Sequence, residues 1–146
     1  MNGRILLGFA AILTYLAAAP AQAQQAGDGT RPMKQFAIPK ERMKRLVDDN
    51  SVAIASDRIT VDGHKVGYMY REAPHDPVDS GWRFLAGDED DAYMDNAANH
   101  GVYTVNTIAN YDPEIIPFLE APAGSAFIRV DGKLVPDPKG APAPRD

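Results

Sequence analysis

A chain of 146 residues with 20 acidic side chains against 15 basic ones, a formal net charge of -5 and no cysteine excludes disulfide staples, thiol catalysis and Cys-ligated zinc. The acidic balance also argues against nonspecific nucleic-acid binding. Charge is unevenly spread: residues 31–45 carry six basic side chains against Glu41, and residues 72–95 carry eight acidic ones against Arg83, a segregation that can steer a charged partner.

Residues 1–23 read as a secretory signal peptide, with Arg4 as the positive start, Ile5 to Ala19 as the apolar core and Ala21-Gln22-Ala23 as a small-x-small cleavage site. The apolar run, about fifteen residues, is short of the ~20 that span a bilayer, and no Cys follows to carry a lipid. The expectation is an exported protein, periplasmic or secreted, beginning near Gln24 and without a stable membrane anchor after cleavage. Residues 24–35 read as a flexible segment, 36–135 as one domain and the Pro-Ala-Gly-rich 136–146 as a disordered tail. A domain of that size can close a single core unaided.

Pro39 followed by KERMKRLVDD predicts a short amphipathic helix with Met43, Leu46 and Val47 on one face. From Ser51 the pattern turns to β. Val52, Ile54, Ile59 and Val61 alternate with small or polar residues, and Asp62-Gly63 predicts a type I′ hairpin into Val66, Tyr68 and Tyr70. Glu72 to Gly81, with two prolines and several carboxylates, reads as an exposed loop before a strand Trp82 to Leu85 that places Trp82 and Phe84 on one face. Gly87 ends that strand, and Asp88 caps a predicted helix Glu89 to Met94.

Val102 to Val105 reads as a further strand and Asn106 to Tyr111 as a connection. Asp112-Pro113 is an N-cap with proline at the first helical position, and Pro117 cuts that helix short. Ser125 to Val130 and Lys133 to Val135 form a second predicted hairpin about Asp131-Gly132. Together these elements predict an α+β fold: a single small domain, mainly antiparallel sheet with two or three short helices. The expected core is Val52, Ile54, Ile59, Val61, Val66, Tyr68, Trp82, Phe84, Val105, Ile116, Phe127 and Ile128.

Nothing in the chain spells out a reaction, and no catalytic residue or cofactor is assigned. His64, His75 and His100 fall in turns, without the spacing of a helical zinc pair. Ser80 lacks the frame of a nucleophile elbow, and there is no Gly-rich phosphate loop. The cluster Asp88, Glu89, Asp90 and Asp91 lacks the further ligands of a calcium loop. It reads first as helix capping, favoured by the helix dipole, and second as a protein-binding patch. With the loop residues His75, Asp76 and Asp79, it makes up the candidate partner-binding set. Trp82, Tyr68 and Tyr70 alternate on sheet faces and read as core.

Four separated blocks, Val66 to Glu72, Asp79 to Phe84, Gly87 to Asp90 and Asn106 to Asp112, resemble the bacterial family called domain of unknown function twenty-one eighty-five, or immunity protein thirty-three. The residues that carry the resemblance are Gly67, Tyr68, Tyr70, Arg71, Gly81, Trp82, Arg83, Asn106, Asn110, Tyr111 and Asp112. It implies a small α+β protein that, in some members, neutralises a toxin of a polymorphic toxin system. With a signal peptide the partner would be a toxin or another protein of the envelope. The alternative is a small envelope enzyme or ligand-binding domain using His75, His100, Asn110 and Asp112.

Overall fold

The computed structural model describes residues 33–143. The expected signal peptide, most of the expected flexible segment and residues 144–146 lie outside the described residues.

Six strands form one sheet: β1 (Val52–Ser56), β2 (Tyr68–Arg71), β3 (Asp79–Leu85), β4 (His100–Thr104), β5 (Ala126–Val130) and β6 (Lys133–Pro136), in the order β4-β1-β3-β2-β5-β6. β1 and β3 run parallel and the other pairs are antiparallel. Helices α1 (Asp57–Thr60), α2 (Asp91–Asp95) and α3 (Val105–Tyr111) are joined by 3-10 turns at Lys40–Arg42, Ala97–Asn99 and Pro113–Phe118. This is the expected α+β domain with a mainly antiparallel sheet.

The expected hairpin at Asp62-Gly63 does not form. Ser56 caps α1 by accepting from the Arg58 N–H at 3.1 Å, and Asp57 sits in the first turn, where an acidic residue is favoured. Gly63, with φ +77°, closes the helix by donating to the Ile59 carbonyl. The dipeptide that suits a hairpin thus serves equally as a helix end, and β2 pairs with β3 and β5 instead of β1. The expected helix after Pro39 shrinks to the 3-10 turn at Lys40–Arg42. The chain then runs extended as a strap, its main chain bonded to side chains of α3.

β3 begins three residues before the expected Trp82, so Asp79, Ser80 and Gly81 leave the exposed loop for a fully buried central strand. Gly81, at φ +83°, lies where β1 and β3 slip register, and a Cβ there would collide with the Glu72 carbonyl. The expected cap at Asp88 moves to Asp90, which accepts from the Tyr93 N–H at 2.8 Å. The expected connection 106–111 is helix α3, capped by Thr104, with Val105, Ile108 and Ala109 buried at helical spacing. Asn and Thr are weak helix formers, which hid that period. Asp131-Gly132 turns β5 into β6 with φ +51° and +80°, as expected for a type I′ hairpin.

One sheet face carries Ala53, Ala55, Met69, Trp82, Phe84, Phe127 and Leu134, which pack under α1, α3 and the Pro113–Phe118 turn. The other carries Ile54, Tyr70, Leu85 and Ala126, with Met94 of α2 laid over them. Of the expected core, Val52, Val61, Tyr68 and Ile116 are half-buried and Ile128 is exposed, while Met69, Tyr70, Ile108 and Ile115 are fully buried. The expected disordered tail is tied down as far as residue 141: Asp137 N–H donates to the Ala126 carbonyl and Ala141 N–H to that of Gly124.

Candidate functional site

At the centre of β3 lies Arg83, with no solvent exposure. It grips Asp79 through two parallel bonds, Nη1 to Oδ1 at 2.9 Å and Nη2 to Oδ2 at 3.0 Å, and donates Nε to Glu72 Oε1 at 2.7 Å. Asp79 also accepts from the His75 and Gly81 N–H groups. Burial would raise the Asp79 carboxyl, but Arg83 and those two main-chain donors outweigh it and hold the group below the usual carboxylate range. Asp79 is therefore out of a partner's reach. Asp76 accepts from Val78 and Asp79 N–H and shapes the loop. His75 stays half-exposed, its Nε2 3.9 Å from Glu72.

The residues that carry the family resemblance turn inward in the same way. Arg71 donates to the carbonyls of Ser80, Leu119 and Ala121, and its guanidinium lies 5.5 Å over the Trp82 ring. Trp82 Nε1 donates to Leu119. A Cβ on Gly67 would collide with the Ala86 carbonyl. Asp112 accepts from Val66 N–H at 3.0 Å and from Arg129 Nη2 at 2.6 Å. Tyr111 shares its hydroxyl with Ile38, and Asn106 and Asn110 hold the strap. Tyr70 is buried, and the Tyr68 side chain, with Gly67 beside it, reaches the rim of an open cleft.

The enzyme reading required His75, His100, Asn110 and Asp112 to converge. Each is committed to a different neighbour instead: His75 to Glu72 and Asp79, Asn110 to Lys44, Asp112 to Val66 and Arg129, and His100 edge-on to the Tyr93 ring. Burial pushes His100 below its ordinary pKa, against a raising contact from the Met94 backbone. Among the described residues no group of three His, Asp or Glu side chains is placed to hold a metal ion.

One side of the second sheet face is left open to solvent. A cleft of about 560 Å³ opens there between Tyr68, Leu85, Met94 and Ile128, with Asp88 and Glu89 at its lip. Burial pushes the Tyr68 phenol up to about 12, Asp137 adding to the effect, so it stays a neutral hydrogen-bond donor at any physiological pH. Tyr68 pairs across the ladder with Ile128, and Ile128 with Val135. Ile128, Val130 and Val135 are 38%, 48% and 37% exposed, an apolar stripe on a face that α2 only partly covers.

The acidic turn borders this stripe, and its members differ in what they do. Glu89 accepts from the N–H groups of Ala86 and Gly87, and Asp90 caps α2. Asp88 is exposed, with Arg58 Nε 3.8 Å away; Asp91 opens α2 and is half-buried. Of the acidic turn, Asp88 and Asp90 are exposed and Glu89 and Asp91 half-buried; the apolar stripe was not legible in the sequence. Its signal was the alternation Ile128, Val130, Val135, which reads the same for a covered face as for a bare one.

The model of a protein family described as the Immunity protein Imm33 domain matches residues 53–135 of this chain, more than half of its 146 residues. No curated protein and no solved structure matches it.

Proposed function

Because the chain belongs to the Imm33 immunity-protein family, we propose that it is a non-catalytic protein-binding domain that neutralises a toxin. Contact is made through the acidic turn and the apolar stripe beside it. The observation that carries this reading is the division of labour among side chains. The residues that carry the family resemblance, Tyr68 apart, are engaged in internal bonds and packing, whereas Tyr68, Ile128, Val130 and Val135 with Asp88 and Asp91 keep surface open to a partner.

Exposed aromatic and aliphatic side chains supply affinity once a partner excludes water from them, and acidic neighbours speed encounter with a basic surface. The partner is therefore a toxin with a basic patch around an apolar centre. Export through the signal peptide would direct this protection to a toxin acting in the envelope.

The test is co-purification from envelope extract of cells making a candidate toxin, followed by binding kinetics over a salt series. Asp88→Asn with Asp91→Asn should slow association about tenfold at low salt and lose that effect near 1 M salt, where the screening length falls to about 3 Å. Glu89 and Asp90 are left intact because they hold the turn. Tyr68→Ala with Ile128→Ser should speed dissociation, at a cost of about 2 kcal/mol or more. Unchanged kinetics in both variants would overturn the reading.

A further inference from the structure

The strap and α3 meet through main chain on one side and amide side chains on the other. Asn110 accepts from Lys44 N–H at 2.9 Å and donates to the Lys44 carbonyl at 2.8 Å. Asn106 donates to that same carbonyl at 2.9 Å and accepts from the N–H groups of Leu46 and Val47 at 2.7 and 3.1 Å. Towards the chain start, the Tyr111 hydroxyl accepts from Ile38 N–H and donates to the Ile38 carbonyl.

All these bonds read backbone. The side chains of Lys44, Arg45 and Leu46 point to solvent, and Val47 alone of residues 44–47 packs against the core. The fit is incomplete: a cleft of about 270 Å³ remains between Met43, Val47, Thr104 and Asn106. The clamp residues lie inside the family match at 53–135, and the segment they hold lies outside it.

An amide that satisfies both the N–H and the C=O of one extended residue binds peptide without regard to sequence, and a single pocket then adds selectivity. We propose that the groove along α3 is a receptor for an extended segment of a partner protein, and that residues 44–47 are its resident, exchangeable occupant. The segment it fits is extended, carries an apolar side chain where Val47 sits, and has no proline where Lys44, Leu46 and Val47 present their N–H groups. The resident competes at the roughly millimolar effective concentration of a short tether, so a visitor enters when the strap yields. The groove is independent of the acidic face, so either assignment can fail alone.

The probe is a fluorescein-labelled peptide of residues 39–50, followed by anisotropy against the full chain. Lys44→Pro removes the N–H that Asn110 reads while leaving the groove intact, and Met43, at φ -66° and ψ 133°, already has the backbone a following proline requires. The expected result is binding at least about tenfold tighter to Lys44→Pro than to the unaltered chain, abolished when Asn106→Ala and Asn110→Ala are added. A folded Lys44→Pro chain that ignores the peptide, or binds it equally without the asparagines, overturns the proposal. Should Lys44→Pro not fold, Leu46→Pro takes its place. In the unaltered chain the amides of Lys44, Leu46 and Val47 should exchange hydrogen well before those of β1; protection equal to β1 overturns the proposal as well.

Discussion

Arg83 stands in mid-strand without solvent, and its charge is tolerated because two carboxylates meet it. A lone buried guanidinium would be prohibitive, whereas a doubly bonded carboxylate and a second acid at 2.7 Å bring the cluster to a single net negative charge. Removing Asp79 leaves Glu72 on Nε but strips the buried Nη1 and Nη2 of their carboxylate, a loss of about 3–5 kcal/mol and a large part of a small domain's usual stability. Asp79→Leu should therefore lower the melting temperature by more than ten degrees, measurable by calorimetry. Titration gives a second check. Asp79 is held below the unfolded carboxyl value near 3.9, so its contribution is complete above about pH 4 and drains as pH falls through the folded value. His100 is depressed as well. The unfolded chain takes up that proton first, and stability begins to fall below about pH 6.5. His100→Gln should erase the earlier decline in a pH series of melts and leave the one below pH 4.

At the scale of elements, caps decide where short helices begin. Ser56 is buried and caps α1, so Ser56→Ala should cost about 1 kcal/mol in a denaturant melt, with the loss centred on α1 in hydrogen exchange. The signals for that helix and for the β5–β6 turn look alike in the sequence, since both use Asp-Gly. At Asp131-Gly132 the flanking runs can pair and a hairpin results. At Asp62-Gly63 the upstream cap at Ser56 and the burial of Ile59 and Thr60 against the sheet favour a helical turn. The same competition explains the strap. Met43, Leu46 and Val47 have helical spacing, but the asparagines of α3 offer its backbone partners that a helix would otherwise supply.

For the molecule as a whole, the two sheet faces are unequal. One is sealed by α1, α3 and the 3-10 turn after Asp112, and the other is covered in part, by Met94 and Tyr93 of α2 and by Ala141 of the C-terminal segment. That inequality exposes Ile128, Val130 and Val135 beside an acidic lip. Large exposed apolar patches on a small domain mark binding surfaces. Val130→Lys with Val135→Lys should leave the melting temperature within a few degrees, because both side chains already face water. The same change should weaken capture of the toxin at least tenfold, read by the same kinetics as the charge variants.

The α+β class, the Trp82 and Phe84 face, the Asp131-Gly132 turn, the cap at Asp112 and the family were all legible in the sequence, because each rests on neighbours a few residues apart or on a run of residue types. Long-range geometry decided the rest. Whether Asp79 is loop or core depends on β1 lying beside it, whether residues 43–50 coil depends on Asn106 and Asn110 some sixty positions on, and whether Ile128 is buried depends on which face the helices reach. Local spacing fixes which face a side chain takes on its own strand, but only the assembled sheet determines what, if anything, covers that face.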